Sequence, residues 1–343
     1  MKQSLLIFVL IAFILADSVH LFAVTAAKYA GEFMSTGVGA RALGMGGAYV
    51  AGSGDATYAY WNPAGLSTIN YPELAAMHSE RFAGVVNYDY VSFALPFRKT
   101  EGLAISAIRL GVDDIPISAI PRPDLRQDTT FIDDTGNLRV NRPYIDHYVS
   151  DAEYAFYLSY GRQYRQTFAF GANAKFVHKG VGDNSAWGIG FDLGVLWKPW
   201  RQLRVGANLQ DGTTTLLAWD TGRTELITPT LKTGIAYPFL LKFMNSRLLI
   251  AADADVRFEG RDYAAQFNIG PISSDFRLGA ELNFRNFAAL RIGRDDLGFF
   301  TAGAGIVLPR LNLDYAFMNH TDLKETHRVS LRIRLEEERF KRK

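Results

Sequence analysis

Three patterns in this 343-residue chain are candidates for chemistry. Gly37, Gly39 and Ala42, in GVGARALGMGGAYV, have the spacing of a dinucleotide-binding glycine loop, whose backbone amides would cradle a pyrophosphate. That chemistry needs a buried strand before the first glycine and a crossover helix leading to a parallel strand after it. AKYAGEFMST is no buried strand, and the sequence that follows is antiparallel in character, so the dinucleotide reading is set aside. Acyl transfer would need a nucleophile beside a base. No Gly-x-Ser-x-Gly elbow occurs, and His20, His78, His147, His178, His320 and His327 are scattered, so no enzyme is expected. Asp113-Asp114 and Asp133-Asp134 carry oxygens that calcium accepts, but solvated loop acids account for them, and neither a metal nor a cofactor is expected.

The third pattern is a set of charges at every second position, opposite an apolar set. In SRLLIAADADVRF, Asp253, Asp255 and Arg257 oppose Leu248, Ile250, Ala252, Ala254 and Val256. In DFRLGAELNF, Arg277 and Glu281 oppose Phe276, Leu278, Ala280 and Leu282. Asp192 alternates with Trp187, Ile189, Phe191, Leu193, Val195 and Trp197, while Arg332 and Arg334 alternate with Val329, Leu331, Ile333 and Leu335. With Asp314, these charges are expected to line an interior. Period two is the signature of a strand with unlike faces. In a soluble sandwich the polar face would favour Thr, Lys and Glu. Here it mixes glycine and alanine with both signs of charge, while the apolar face carries Trp187, Trp197, Tyr154 and Tyr160 near strand ends, where a membrane barrel places its aromatic girdle.

The ends of the chain agree with export. Residues 1–27 read as a signal peptide: Lys2, an apolar run from Leu5 to Ala16, and small residues at Thr25-Ala26-Ala27. A membrane anchor is the alternative, and the apolar run is shorter than the ~20 residues a span needs. The composition is 48% hydrophobic with a formal net charge of +2 and no cysteine, which leaves no electrostatic footprint for nucleic acid.

Counting alternating segments from 73–79 to 326–335 predicts an all-β fold, a transmembrane antiparallel β-barrel of about fourteen strands over residues 71–336. Short connections such as YRQT and FRN broadly alternate with the long segments 112–151, 211–227, 259–273 and 319–325. Because outer-membrane barrels have short periplasmic turns, both termini are expected in the periplasm. A barrel of this girth would leak, so the glycine-rich residues 28–70 are expected to plug its lumen, and 337–343 to form a charged periplasmic tail. Arg41 is a candidate to grip a carboxylate on the inner wall, with Asp192, Asp253, Asp255, Glu281 and Asp314 as the options. Structureless loops as long as 112–151 are uncommon unless functional. Its apolar residues, Ile117, Ile120, Phe131, Ile132 and Tyr144 among them, are expected to fold over the barrel mouth or to meet a partner.

GARALGMGGAYVAGSGDATYAYWNPAGL, residues 39–66, resembles the N-terminal signature of the PorV/PorQ proteins, a branch of the FadL-like outer-membrane barrels. The matching residues include Arg41, Gly46, Gly47, Asp55, Trp61, Asn62, Pro63, Ala64 and Gly65. The resemblance implies a barrel of fourteen strands whose hatch carries an Asn-Pro-Ala motif. AGSGDA departs from the acidic run common in relatives, and the C-terminus lacks the usual final aromatic residue. Independently of the resemblance, Pro63 should push Asn62 to an extended conformation and fix a turn at WNPAG.

Two functions follow from the resemblance, neither enzymatic. A PorV-like barrel would dock exported proteins or components of the type IX secretion machinery. A FadL-like barrel would pass a hydrophobic small molecule. Both sit in outer-membrane lipid; the docking role is the leading expectation and the channel its alternative.

Overall fold

The computed structural model describes residues 31–342, apart from Ser53, Ala83, 259–260, 262–264 and 321–323. The expected signal peptide lies outside the described residues. The strands in chain order are β1 (Glu73–Arg81), β2 (Val86–Pro96), β3 (Glu101–Ala119), β4 (Thr130–Ile132), β5 (Leu138–Val140), β6 (Tyr144–Arg165), β7 (Phe168–Val181), β8 (Asn184–Trp197), β9 (Arg204–Gln210) and β10 (Thr215–Trp219). There follow β11 (Thr224–Ile227), β12 (Thr230–Leu241), β13 (Ser246–Arg257), β14 (Phe267–Ile269), β15 (Ile272–Phe284), β16 (Ala288–Arg294), β17 (Phe300–Val307), β18 (Leu311–His320) and β19 (Lys324–Arg334).

Fourteen strands close one antiparallel barrel, all but β4, β5, β10, β11 and β14. Closure comes from β1 against β19, in register from Glu73↔Arg334 to Glu80↔His327. Within the closed wall every strand is paired on both sides, so the only free edges among the described residues of β3 and β6 lie beyond it. Along β8, Trp187, Ile189, Phe191, Leu193, Val195 and Trp197 point outward and exposed, Trp187 to 62%, while Gly188, Gly190, Asp192 and Gly194 are buried. The same split runs through β13 and β15. This is a surface that water would penalise on the outside and hydrocarbon would penalise on the inside.

All four expected long loops contain paired strand residues, in 259–273 the short β14 against β15 and in 319–325 the ends of β18 and β19, and two of them hold longer ladders. In 112–151, β3 and β6 continue their ladder well past β2, with register shifts at Val112/Ile115 and Ile117/Ser118. Asp113-Asp114 forms the first of these bulges, with Asp114 at φ 58°. Pro116 obscured the strand in the sequence, yet β2 pairs with β3 only as far as Gly111, so beyond it β3 has a free edge where a missing N–H costs nothing. The ribbon ends in the hairpin β4–β5. In 211–227, β10 continues the line of β9: β9 pairs with β8 over Leu193–Trp197, and β10 pairs with it over Ala186–Ile189. The interruption at 211–214 is a bulge with Asp211 and Thr214 at positive φ. Polar turn residues hid it as a loop.

Candidate functional site: the N-terminal segment and its seat

Residues 33–69 are buried almost throughout and touch the inner face of strands around the whole wall. Short helical turns at Glu32–Ser35, Ala40–Leu43 and Tyr58–Trp61 precede a 3-10 turn at Pro63–Thr68. Asn62 is extended (φ −169°, ψ 103°), and its Oδ1 accepts from Ala64 N at 3.2 Å. Its Nδ2 donates to Val50 O and, across to β8, to Val195 O at 3.0 Å. Trp61 Nε1 donates to Val38 O and Tyr60 OH to Met34 O, so the aromatic residues tie the segment to itself.

The wall accommodates this backbone with glycines. Gly102, Gly161, Gly171 and Gly194 lie directly opposite one another across β3, β6, β7 and β8. A Cβ at any of the four would collide with Asn62, Pro63, Ala64 or Leu66. Gly206 sits in the same way under Val50, and the pair Gly279–Gly293 under Met45. Gly46 has φ +67° and lies against the Arg294 backbone, so both its conformation and its space require glycine. Gly47 is the next positive-φ glycine, packed on Arg277 and Trp61. These inward glycines were not singled out from the sequence; the signal was their place in the polar phase of each strand.

Buried ion pairs fix the segment laterally. Of the five carboxylates considered for Arg41, Glu281 is the partner: Nε–Oε2 is 2.7 Å and Nη2–Oε1 2.6 Å, a fork-on-fork contact. Arg41 Nη1 also reaches Asp55 at 3.4 Å. Asp55 receives Tyr49 OH and Arg332, while Arg332 and Arg291 meet at Asp314, and Arg291 returns to Glu281 at 2.7 Å. Three arginines of this ring thus face three carboxylates. Asp253 accepts the amides of Tyr49 and Val50 at 2.7 and 2.8 Å. The remaining predicted charges pair elsewhere: Asp255 with Lys232 and Arg277, Arg277 also with Asp296, Asp192 with Lys175, Arg257 with Glu32 at 4.0 Å, and Arg334 with Glu73 and Glu336. Arg291, Lys175, Lys232 and Asp211 were missed, though Arg291 alternates visibly with Leu290 and Ile292. Lys175 bridges Asp192 and Asp211, which braces the bulge after β9.

Residues 337–341 of the tail are exposed, and its anchor is Arg342. A 3-10 turn at Glu338–Phe340 leads to Arg342, which donates to the carbonyls of Leu66, Ile69, Asn70 and Arg98. Leu66, which also accepts from Ile69 N, lies in the last turn of the 3-10 helix, Ile69 and Asn70 just beyond its open end, and Arg98 in the turn between β2 and β3.

Of the two expectations for 112–151, the exposed apolar residues of the ribbon do not fit the one in which it folds over the barrel mouth. Ile132 and Leu138 are 67% and 73% exposed, Tyr144 and Ile117 are exposed, and Ile120 and Phe131 are half-buried, Phe131 beneath Arg122. The ladder and the buried Asn141, which bonds Arg122, Leu125 and Arg126, satisfy the ribbon's backbone without help from the barrel. Asp133 is enclosed by Thr135, Asn137 and Arg139.

Several cavities among the described residues adjoin the segment or the wall around it, two of them of about 410 Å³ or more. One, of about 410 Å³, opens above the segment and is lined by Arg81, Arg257, Arg277 and Arg328 as well as Glu32, Glu153 and Asp295. The other, of about 580 Å³, is a largely apolar recess in the wall at β1, β2 and β3, lined by Met77, Tyr90, Ile108, Phe156 and Leu331 together with the linked polar group His78, Asp89 and Arg109. Met77 and Tyr90 also face the segment: Gly39 N lies 3.1 Å from Met77 Sδ, and Tyr90 OH 3.4 Å from Ala56 O.

No family model matches the sequence, and no curated protein does. Solved structures similar to the chain include hydrocarbon transporters and a FadL homologue. The Ralstonia pickettii toluene transporter TbuX superposes with a TM-score of 0.57 at 13% identity, covering 87% of this chain and 98% of TbuX. A Pseudomonas aeruginosa FadL homologue gives 0.54 at 12% identity over 87% and 98% of the two chains. The monoaromatic hydrocarbon channel CymD gives 0.53 at 13% identity over 88% and 98%. At these identities the likeness is one of fold.

Proposed function

We propose that the protein is a non-enzymatic, FadL-like outer-membrane channel that takes up a small, largely apolar molecule, with residues 28–70 as its hatch and both termini in the periplasm. The observation that carries this reading is the largely apolar recess in the wall at β1–β3, whose inner lining includes Met77, Tyr90 and Ile108, the first two also facing the segment. A ligand arriving in the upper cavity reaches the recess by displacing these two side chains and leaves sideways into the apolar phase, while the glycine-seated hatch blocks the axial route. The toluene and monoaromatic hydrocarbon channels of the same fold support the ligand class. The test is uptake of labelled toluene by cells whose only FadL-type barrel is this protein. Uptake several-fold above barrel-free cells is expected, and Met77→Trp, which fills the neck, should return it to that background. Equal uptake with and without the barrel would falsify the channel reading.

The second reading, docking of exported proteins as in the PorV/PorQ barrels, draws on the signature at 39–66 and on the exposed apolar ribbon. A photo-crosslinker at Ile132 that captures exported proteins sharing one C-terminal domain would favour it.

A further inference from the structure

Six short turns join wall strands at the end of the barrel where β1 starts and β19 finishes, and they share a composition that strand pairing does not require. They are FRKT at 97–100, YRQT at 164–167, KPWRQL at 198–203, KFMN at 242–245, RNF at 285–287 and LPR at 308–310. Each carries an arginine or a lysine, and none carries a carboxylate. The connections at the opposite end hold Asp183, Asp220, Asp295 and Asp296.

One device recurs in four of these turns. An aromatic residue is followed at once by an arginine whose guanidinium lies over its ring: Arg98 on Phe97 at 5.2 Å, Arg165 on Tyr164 at 5.6 Å, Arg201 on Trp200 at 4.6 Å and Arg285 on Phe284 at 5.0 Å. Arg98, Arg201 and Arg285 hold φ at 67°, 46° and 50°, a conformation that glycine or asparagine adopts more readily. An arginine in such a place is there for its side chain. The rings are exposed at the strand ends, Tyr164 to 65% and Trp200 to 59%, and Phe243 and Leu308 are exposed in the two turns that lack the device.

These cations are largely without carboxylates. Arg98 reaches Glu101 at 3.9 Å, but Arg165, Lys198, Arg201, Lys242, Arg285 and Arg310 make no ion pair among the described residues. At the turn 198–203 two cations converge: Lys198 and Arg204, the first residue of β9, line a recess of about 250 Å³ with Leu196 and Trp197, and no acid lines it. Basic groups beside a bilayer attract anionic headgroups within a Debye length of ~8 Å, and aromatic rings at the rim of a membrane barrel sit at that depth. A protein partner would meet the rim on one side, whereas these turns are built alike around its whole circumference.

We infer that the six turns form a collar that binds the phosphates of anionic phospholipids in the leaflet it enters, with the recess at Lys198 and Arg204 as its strongest single position. The binding goes beyond the channel reading and is independent of it; only the choice of the periplasmic leaflet rests on the orientation proposed there.

The test is native mass spectrometry of the full-length, detergent-purified barrel titrated with phosphatidylglycerol and with phosphatidylcholine of the same acyl chains. Phosphatidylglycerol should be retained in preference, and added salt should weaken it. Arg165→Gln, Arg201→Gln and Arg285→Gln combined should lower its retention about fivefold at a fixed lipid concentration. Lysine at the same three positions should restore most of the loss, and Arg122→Gln with Arg139→Gln, in the ribbon at the other end, should change nothing. Where the triple variant misfolds, Lys198→Gln reads the recess alone. Equal retention of the two lipids, or parent-like retention in the folded triple variant and in Lys198→Gln, overturns the inference. So does a co-purifying protein, in place of lipid, that the triple variant loses. Because the chain has no cysteine, Gln166→Cys in the turn between β6 and β7 reports the leaflet. A bulky maleimide should reach it only after the outer membrane is opened; labelling in intact cells would overturn the periplasmic assignment.

Discussion

At the residue scale, Arg41 shows how an ionic contact can hold a segment whose backbone is otherwise kept in place by shape. Glu281 is shared between Arg41 and Arg291, and Asp55 between Arg41 and Arg332, so removing Arg41 leaves the two carboxylates partly answered. Breaking a buried pair costs about 3–5 kcal/mol, and the residual partners put Arg41→Ala near the lower end, about 3 kcal/mol. Urea unfolding followed by tryptophan fluorescence should show that loss, because Trp61 sits in the segment. Planar-bilayer recording of the same variant should show openings absent from the unmodified protein. A variant as stable and as closed as the parent would mean that the glycine seat alone holds the segment. Arg41 was recognisable from the sequence as a donor looking for a carboxylate. Its choice of Glu281 over the other four was not, because the choice depends on how far each strand staggers around the barrel.

At the element scale, the ribbon beyond β3 and β6 behaves as an independent unit. Its tip is organised by Asp133, whose carboxylate accepts from Thr135 N and Oγ1 and from Asn137 N and pairs with Arg139 at 3.0 Å. The Thr135 hydroxyl first, then the Asn137 amide and Arg139, hold its pKa well below the ordinary carboxylate value. A depressed folded-state pKa contributes order that is complete above the unfolded value of about 3.9 and is lost as pH falls through the folded one. Spin labels at the register partners Ile132 and Leu138 should therefore give a narrow distance distribution at pH 7 that broadens once pH drops below about 4. Asp133→Asn should already be broad at pH 7. A width independent of both pH and the substitution would show that the β4–β5 ladder needs no help from Asp133. The ribbon itself was read as a loop because Pro116, Pro121, Pro123 and Pro143 punctuate it; a strand tolerates Pro116 only because its neighbour has already ended.

At the scale of the whole molecule, the barrel and its N-terminal segment are complementary surfaces made from distant parts of the chain. Deleting residues 31–69 takes Arg41 from Glu281, both amides from Asp253 and the backbone seated on the glycine row together, while Arg291 stays on Glu281 and the closing pair β1–β19 remains. The deleted barrel should still migrate as a folded, heat-modifiable species but pass ions in a planar bilayer, with lower urea resistance than the full chain. A deleted barrel that stays closed would show that the wall collapses inward and that the segment is no barrier.

Strand number, the outward and inward faces, and closure of the wall follow from local facts: period-two alternation sorts side chains between two solvents, and its repetition along the chain counts the strands. The turn at WNPAG follows in the same way, because Pro63 constrains Asn62 through bonded geometry alone. The sequence by itself therefore determined that this is a barrel with an ionic interior and a rigid motif near its start. Tertiary structure alone decided the rest: that four glycines from β3, β6, β7 and β8 fall in one row beneath residues 62–66, that Arg41 meets Glu281, that Arg342 closes on the end of the 3-10 turn, and that Arg328, Ser79 and Tyr88 share a buried row in which Arg328 has no carboxylate among the described residues. Each of these joins residues tens to hundreds of positions apart, and their meeting depends on strand register around a closed ring, which the alternation that builds each strand does not specify.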